Sequence, residues 1–303
     1  MPVEAEGYTL QEDASLASRN TLRVASRARR LAEVHVATAL PDLLDLPAVR
    51  DGRALILGGG SNVLFTGDFD GTVVAMATRG VELLGEDSGA THIRVAAGER
   101  WDDFVRWSLG HGYPGLENLI MIPGSVGGAP IQNIGAYGVE VAGFISSVQA
   151  FDRERAGFVE LAAGECAFAY RDSLFKHAPG RYVVTAVTFA LPRQPAVHAD
   201  YTGLGEELAA MGVGDAAPFH VAEAVVHLRT RKLPDPAVIG NAGSFFKNPR
   251  VSAATAAALK REHPAMAQWP AADGRLKLSA AWLIEACGFK GLREGDAGIS
   301  NRH

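Results

Sequence analysis

The chain has 303 residues and a mass of 32.0 kDa, with 48% hydrophobic and 21% charged residues. Its 29 Lys and Arg against 34 Asp and Glu leave a formal net charge of −5 and a pI near 6.0, which argues against a protein held to nucleic acid by a broad basic face. At roughly 100–200 residues per domain the length predicts two or three domains, each large enough to bury a core, and the hydrophobic fraction argues against extensive disorder.

The segment Met1 to Gly7 has neither a basic region nor an apolar core and does not read as a signal peptide. Residues 21–50 read as strand, turn and short helix, with Arg27, Arg29 and Arg30 as a solvated basic face. The apolar run Ala54 to Leu57 predicts a buried strand that stops at Gly58, Gly59, Gly60, Ser61 and Asn62. Further strands are expected at Thr72 to Met76 and Ile93 to Ala97. Trp101, Phe104, Val105 and Leu109 have helical spacing, closed by Gly110.

From Asn118 to Val139 there are 22 residues without a charge. Gly124, Gly127, Gly128, Gly135, Gly138, Pro123 and Pro130 make a membrane helix a poor reading of this stretch. It is either backbone lying against a large bound group or a tightly packed interdomain loop. Strands follow at Phe144 to Phe151, Phe158 to Leu161 and Tyr182 to Leu191. The texture changes between Leu191 and Pro236. Helices are expected at His220 to Leu228, after an N-cap at Ser252 as far as Glu262, and after Ser279 from Ala280 to Cys287.

Cys166 and Cys287 form no CxxC and read as two buried thiols in a reducing compartment. The nine histidines, His303 among them, show no HExxH and no cluster with cysteine, so no metal is expected.

Four segments carry chemistry. Gly58 to Asn62 can converge backbone amides into an anion nest. Val63 breaks the GxGxxG spacing and no Gly-Lys-Ser/Thr follows, so neither a Rossmann fingerprint nor a P-loop is present; a plain glycine turn is the other reading. In Pro123 to Gly138, Pro123 breaks the G-x-S-x-G pattern. Small uncharged residues there suit the isoalloxazine and pyrophosphate of a flavin dinucleotide. In Tyr170 to Lys176, Arg171 could hold a carboxylate bidentately, or simply pair with Asp172 at the surface. Asn241 to Pro249 could present Ser244 in a tight site, or be a hairpin turn with Phe245 and Phe246 in a core.

Together with Asn20 to Leu22, Gly164 to His177, His227 to Pro236 and Lys277 to Cys287, these segments resemble the UDP-N-acetylenolpyruvoylglucosamine reductases of peptidoglycan synthesis, in the subtype with an extra substrate-covering loop near Tyr201. The resemblance implies an α+β chain with a two-subdomain FAD-binding fold of the vanillyl-alcohol-oxidase (PCMH) type, at residues 1–78 and 79–233, and an α+β substrate-binding domain at 234–303. It implies tightly bound FAD, reduced by NADPH, that passes hydride to the enolpyruvyl group of the UDP-sugar in the cytoplasm to give UDP-N-acetylmuramate.

By the same resemblance Arg171 matches the catalytic arginine and Ser244 the serine that protonates carbon. Gly58, Gly59, Gly60, Ser61, Asn62, Ser125, Gly127, Gly128, Gln132, Asn133, Gly135, Ala136 and Tyr137 match cofactor-binding positions. Lys232 and Asn248 match substrate positions, and Tyr201 a diphosphate contact. The family's catalytic Glu belongs to a stretch beyond the last matching segment. The chain therefore reads as C-terminally incomplete, and Glu285 and Glu294 lie in other motifs. That departure keeps open a non-catalytic FAD- or UDP-sugar-binding protein. A sugar oxidase of the same broad fold is a third reading, although the loop at 123–138 has no His for covalent flavin attachment.

Overall fold

The computed structural model describes residues 3–271 and 273–302, so the expectations resting on Met1, Pro2 and His303 lie outside it. The chain divides into two compact units: residues 1–229 with 235–241, and residues 230–234 with 242–303.

The first unit holds two five-stranded sheets. One contains β1 (Val3–Ala5), β2 (Tyr8–Ser15), β3 (Arg27–Val34), β4 (Ala54–Leu57) and β5 (Phe69–Met76), in the order β1-β2-β3-β5-β4. The first three strands are antiparallel, whereas β5 runs parallel to both β3 and β4. Parallel neighbours need a crossover rather than a hairpin. Short helices α1 (Leu40–Asp45) and α2 (Pro47–Arg50) lie within that crossover, and Leu40, Leu43 and Val49 pack on Ala32, Val34 and Val74. Arg27, Arg29 and Arg30 pair with Asp13, Asp70 and Glu12 at 2.6, 2.6 and 2.7 Å, so each charge of the basic run is ion-paired.

The second sheet is antiparallel, formed by β6 (Val81–Glu86), β7 (Ala90–Ala96), β10 (Ile145–Asp152), β11 (Gly157–Ala162) and β12 (Tyr182–Pro192) in the order β11-β10-β12-β7-β6. Between β7 and β10 lie helix α3 (Trp101–Gly110) and a hairpin of β8 (Gly135–Ala136) with β9 (Val139–Glu140). Helix α4 (Leu174–His177) precedes β12, and α5 (Leu204–Ala210) and α6 (Pro218–Lys232) follow it. β12 is central and its apolar run from Val183 to Phe189 is buried throughout, as expected of a strand covered on both faces. Trp101, Phe104 and Phe189 form its aromatic centre, with the Phe104 and Phe189 rings 4.9 Å apart. The Trp101 indole N–H is satisfied by Leu119 O at 2.8 Å, which ties α3 to the uncharged stretch.

The second unit contains a three-stranded sheet of β13 (Arg250–Val251), β14 (Gln268–Pro270) and β15 (Leu276–Leu278), in the order β13-β15-β14. It also has helices α7 (Ala253–Glu262) and α8 (Ala280–Ala286) and a small hairpin of β16 (Arg293–Glu294) with β17 (Ala297–Gly298). Ser252 Oγ accepts from Thr255 N–H and Ser279 Oγ from Trp282 N–H, each at 3.1 Å, so both expected N-caps form. Its core is small, built on Ala256, Met266 and Leu278. Cys166 is buried, but Cys287 is exposed, which corrects the expectation of two buried thiols. Cys287 ends α8 on a face that this small core does not cover.

Candidate functional site

The glycine turn after β4 meets the uncharged loop after α3. A Cβ placed on Gly58 would lie 2.5 Å from Ser125 Oγ, and one on Gly59 would lie 2.6 Å from Gly124 Cα. Real Cβ atoms do not approach that closely, so only bare backbone can make this contact. Ser61 Oγ donates to Pro123 O at 3.1 Å across the same seam, and Thr21 N–H donates to Gly60 O at 3.1 Å from behind.

The two loops differ in where their amides point. Trp101 N–H donates to Gly124 O, Val126 N–H to Glu99 O and Gly127 N–H to Ala97 O, at 3.1, 2.9 and 2.9 Å. Gly128 N–H returns to Ser125 O at 3.0 Å. Gly127 and Gly128 therefore use their amides within the protein. The N–H groups of Gly59, Gly60, Ser61 and Asn62 donate to no protein acceptor among the described residues. Four successive amides with no internal partner among the described residues, two of them on glycines that leave no room for a Cβ, fit the pyrophosphate of a dinucleotide.

The loop continues to Asn133, which is 1% exposed and has φ +42°. Its Nδ2 donates to Glu140 Oε2 at 2.8 Å and to Ala169 O at 3.0 Å, and its Oδ1 accepts from Ala142 N–H at 3.0 Å. That side chain is fully engaged with the protein. Its backbone carbonyl accepts from Arg171 Nη1 at 3.2 Å, and Gly135 O accepts from Arg171 Nη2. Arg171 has φ +55° and rests on the Tyr170 ring, 5.3 Å from its centroid. The plainer expectation of an Arg171–Asp172 surface pair is not met, because Asp172 pairs with His177 at 2.9 Å. With carbonyls rather than a carboxylate as partners, the Arg171 charge stays available to an anion.

Gln132, Gly135 and Ala136 are half-buried on or beside the β8–β9 hairpin. Tyr137 turns that hairpin at φ +47°, and its ring meets Tyr201 edge-on at 5.4 Å. Asn118, wholly buried, donates to Tyr137 O at 3.1 Å and to His198 O at 2.8 Å, which ties the hairpin to the loop carrying Tyr201. Burial raises the Tyr137 phenol above its ordinary pKa, partly offset by the adjacent Arg229 guanidinium, whose own pKa burial lowers. Arg229 Nη2 also donates to Met121 O at 3.1 Å.

Lys232, exposed at the end of α6, Ser244 and Asn248 belong to the second unit. Ser244 is exposed in the loop before β13. Phe245 and Phe246 are 67% and 63% exposed, so they are not the core pair of a plain hairpin turn. Asn248 Oδ1 accepts from Ala280 N–H at 2.9 Å, which leaves its Nδ2 for other contacts.

Sequence reasoning missed Asn118, Glu140 and Arg229. Glu140 had one signal, as the first charge after a charge-free stretch. Arg229 lies one residue past the helix expected at His220 to Leu228 and carried no signal of its own. Among the described residues no helix is long and apolar enough to cross a membrane.

Comparisons with known proteins agree with this geometry. Residues 29–153 match the family described as an FAD binding domain, and residues 235–303 match the UDP-N-acetylenolpyruvoylglucosamine reductase C-terminal domain. A reductase of that name from Xanthomonas euvesicatoria pv. vesicatoria is 49% identical over 98% of this chain and 85% of its own length. One from Chromobacterium violaceum is 50% identical over 96% of this chain and 86% of its own. The crystal structure of a UDP-N-acetylenolpyruvylglucosamine reductase from Thermus caldophilus superposes with a TM-score of 0.68 at 26% identity, over 97% of this chain and 86% of that one.

Proposed function

Because the chain belongs to the UDP-N-acetylenolpyruvoylglucosamine reductase family, we propose that it is the FAD-dependent enzyme that uses NADPH to reduce UDP-N-acetylglucosamine-enolpyruvate to UDP-N-acetylmuramate for peptidoglycan synthesis. The observation that carries this reading is the occurrence, among the described residues, of four amides at 59–62 without a protein acceptor together with an Arg171 whose guanidinium hydrogen-bonds to two carbonyls and to no carboxylate.

Residues 1–78 and 79–233 are taken as the two FAD subdomains and 234–303 as the substrate domain. Gly58, Gly59, Gly60, Ser61 and Asn62 would hold the pyrophosphate, through the amides at 59–62, and Ser125, Gly127, Gly128, Gln132, Asn133, Gly135, Ala136 and Tyr137 would line the ring system. When bound, FAD supplies hydride derived from NADPH. Arg171 would grip the substrate carboxylate and neutralise the charge that develops on the carbon beside it, an effect that is largest where water is excluded. Ser244 would deliver the proton to that carbon. Lys232, Asn248 and Tyr201 would bind the nucleotide sugar, Tyr201 at its diphosphate. The cytoplasm is the compartment we assign to the reaction, in keeping with the family resemblance.

The test is direct. Purified protein should carry a flavin spectrum, bleach with NADPH in the absence of oxygen, and recover its colour on adding the enolpyruvyl UDP-sugar. Flavin-free protein, or reduced flavin indifferent to the sugar, overturns the proposal.

A further inference from the structure

We propose that Glu140 is a positioning residue that fixes Arg171 through Asn133 and the Gly135 backbone; the inference rests on the role given to Arg171 above. Arg171 sits in a tight turn in which Ala169 and Asp172 exchange both backbone hydrogen bonds, each 3.0 Å. Its φ of +55° is a conformation that L side chains resist, so something outside the turn must hold it. Asn133 does so at both ends. Its Nδ2 grips the turn at Ala169 O, and its main-chain carbonyl receives the guanidinium.

The side chain keeps the turn in register with the main-chain carbonyl of the same residue only if its own orientation is fixed. Asn133 Nδ2 has two hydrogens, and the one not given to Ala169 O goes to Glu140 Oε2 at 2.8 Å. Glu140 accepts there through a side-chain oxygen and so favours the orientation of the amide that also places Oδ1 on Ala142 N–H. Glu140 is on the Arg171 side of the hairpin as well. It pairs with Gly135 across β8–β9, and a Cβ on Gly135 would lie 3.0 Å from Glu140 Cγ and 2.8 Å from Arg171 Nη1. Glu140, Gly135 and Arg171 thus close around one point at which no side chain fits.

The carboxylate acts through hydrogen-bond acceptance, so Gln can replace it and Ala cannot. Glu140→Ala in the flavin-loaded protein should retain flavin and its rate of reduction by NADPH, while reoxidation by the enolpyruvyl sugar slows about 10- to 100-fold, the scale of a small misplacement of a reacting group. Glu140→Gln should recover most of that loss. In parallel, the Nε–Hε resonance of Arg171, identified by its disappearance in Arg171→Lys, should shift or broaden in Glu140→Ala and return in Glu140→Gln. An unmoved Arg171 resonance and unchanged reoxidation in Glu140→Ala overturn the inference. So does an equal fall of both half-reactions with loss of flavin, which marks a role in folding alone. Wild-type protein that the sugar never reoxidises defeats the proposed function instead, and the Arg171 resonance then still decides the role of Glu140.

Discussion

Gly59 and Gly124 are packed backbone against backbone: a Cβ on Gly59 would stand 2.6 Å from the Gly124 Cα and 2.9 Å from its carbonyl carbon. No flexible side-chain end is there to yield, so any residue larger than Gly must part the two loops. Gly59→Val should cost about 1–3 kcal/mol, as overpacking does. It should also lower the flavin retained per protein after gel filtration, because the amides at 59–62 lose their shared geometry. Unchanged flavin content alongside a lowered melting temperature would assign the contact to folding only.

The role given to Ser244 is separable by half-reaction, and its motivation is an exposed serine in a loop matching the family's proton donor. Ser244→Ala should leave flavin bleaching by NADPH nearly intact. Reoxidation by the sugar should fall about 10²- to 10⁴-fold, the usual worth of a positioned acid. Stopped-flow measurement of the two steps checks this, and an equal loss in both contradicts the assignment.

The two thiols should behave differently. Cys287 is exposed, whereas burial raises the Cys166 thiol from 9.0 to about 11. A thiol reagent should modify one cysteine rapidly in native protein and the second only on unfolding; rapid reaction of both rejects the burial of Cys166. Burial also sets a pH dependence. Between about 9 and about 11 the unfolded thiol has lost its proton and the native one keeps it, so stability falls as pH rises through that window. Denaturant melts should show a smaller decline over this range in Cys166→Ala.

At the acid end, Asp152 joins the end of β10 to the start of β12. Its side chain is 1% exposed, meets Arg181 at 2.7 Å and accepts from Glu154 N–H at 3.0 Å. The Arg181 hydrogen bond lowers its pKa below the ordinary 3.8. Its contribution is therefore complete above about pH 4 and is lost as pH falls through the depressed native value. Asp152→Asn should lower the melting temperature at neutral pH and flatten its fall in acid. A parallel acid decline in wild type and variant would assign that decline to other carboxylates.

Much of the local structure was legible beforehand because its causes lie within a few residues. The apolar runs at Ala54–Leu57 and within Tyr182–Pro192, the caps Ser252 and Ser279, and the helical spacing after Trp101 all depend on near neighbours. β6 was not legible, because it is an exposed edge strand held by its pairing with β7 rather than by an apolar pattern. The crossover that sets β5 between β3 and β4 was equally silent.

The sequence by itself determined that two glycine-rich, charge-free segments exist and that Arg171 and Ser244 fall in motifs of one enzyme family. Only the tertiary structure decided which amides find acceptors, with those of Gly59 to Asn62 left over among the described residues and that of Gly127 given to Ala97. It also decided that Arg171 donates to the carbonyls of Asn133 and Gly135, while Asp172 pairs with His177. The reason is physical: hydrogen-bond partners tens of residues apart are chosen by how the chain closes on itself, and residue pattern along the chain carries no record of that closure.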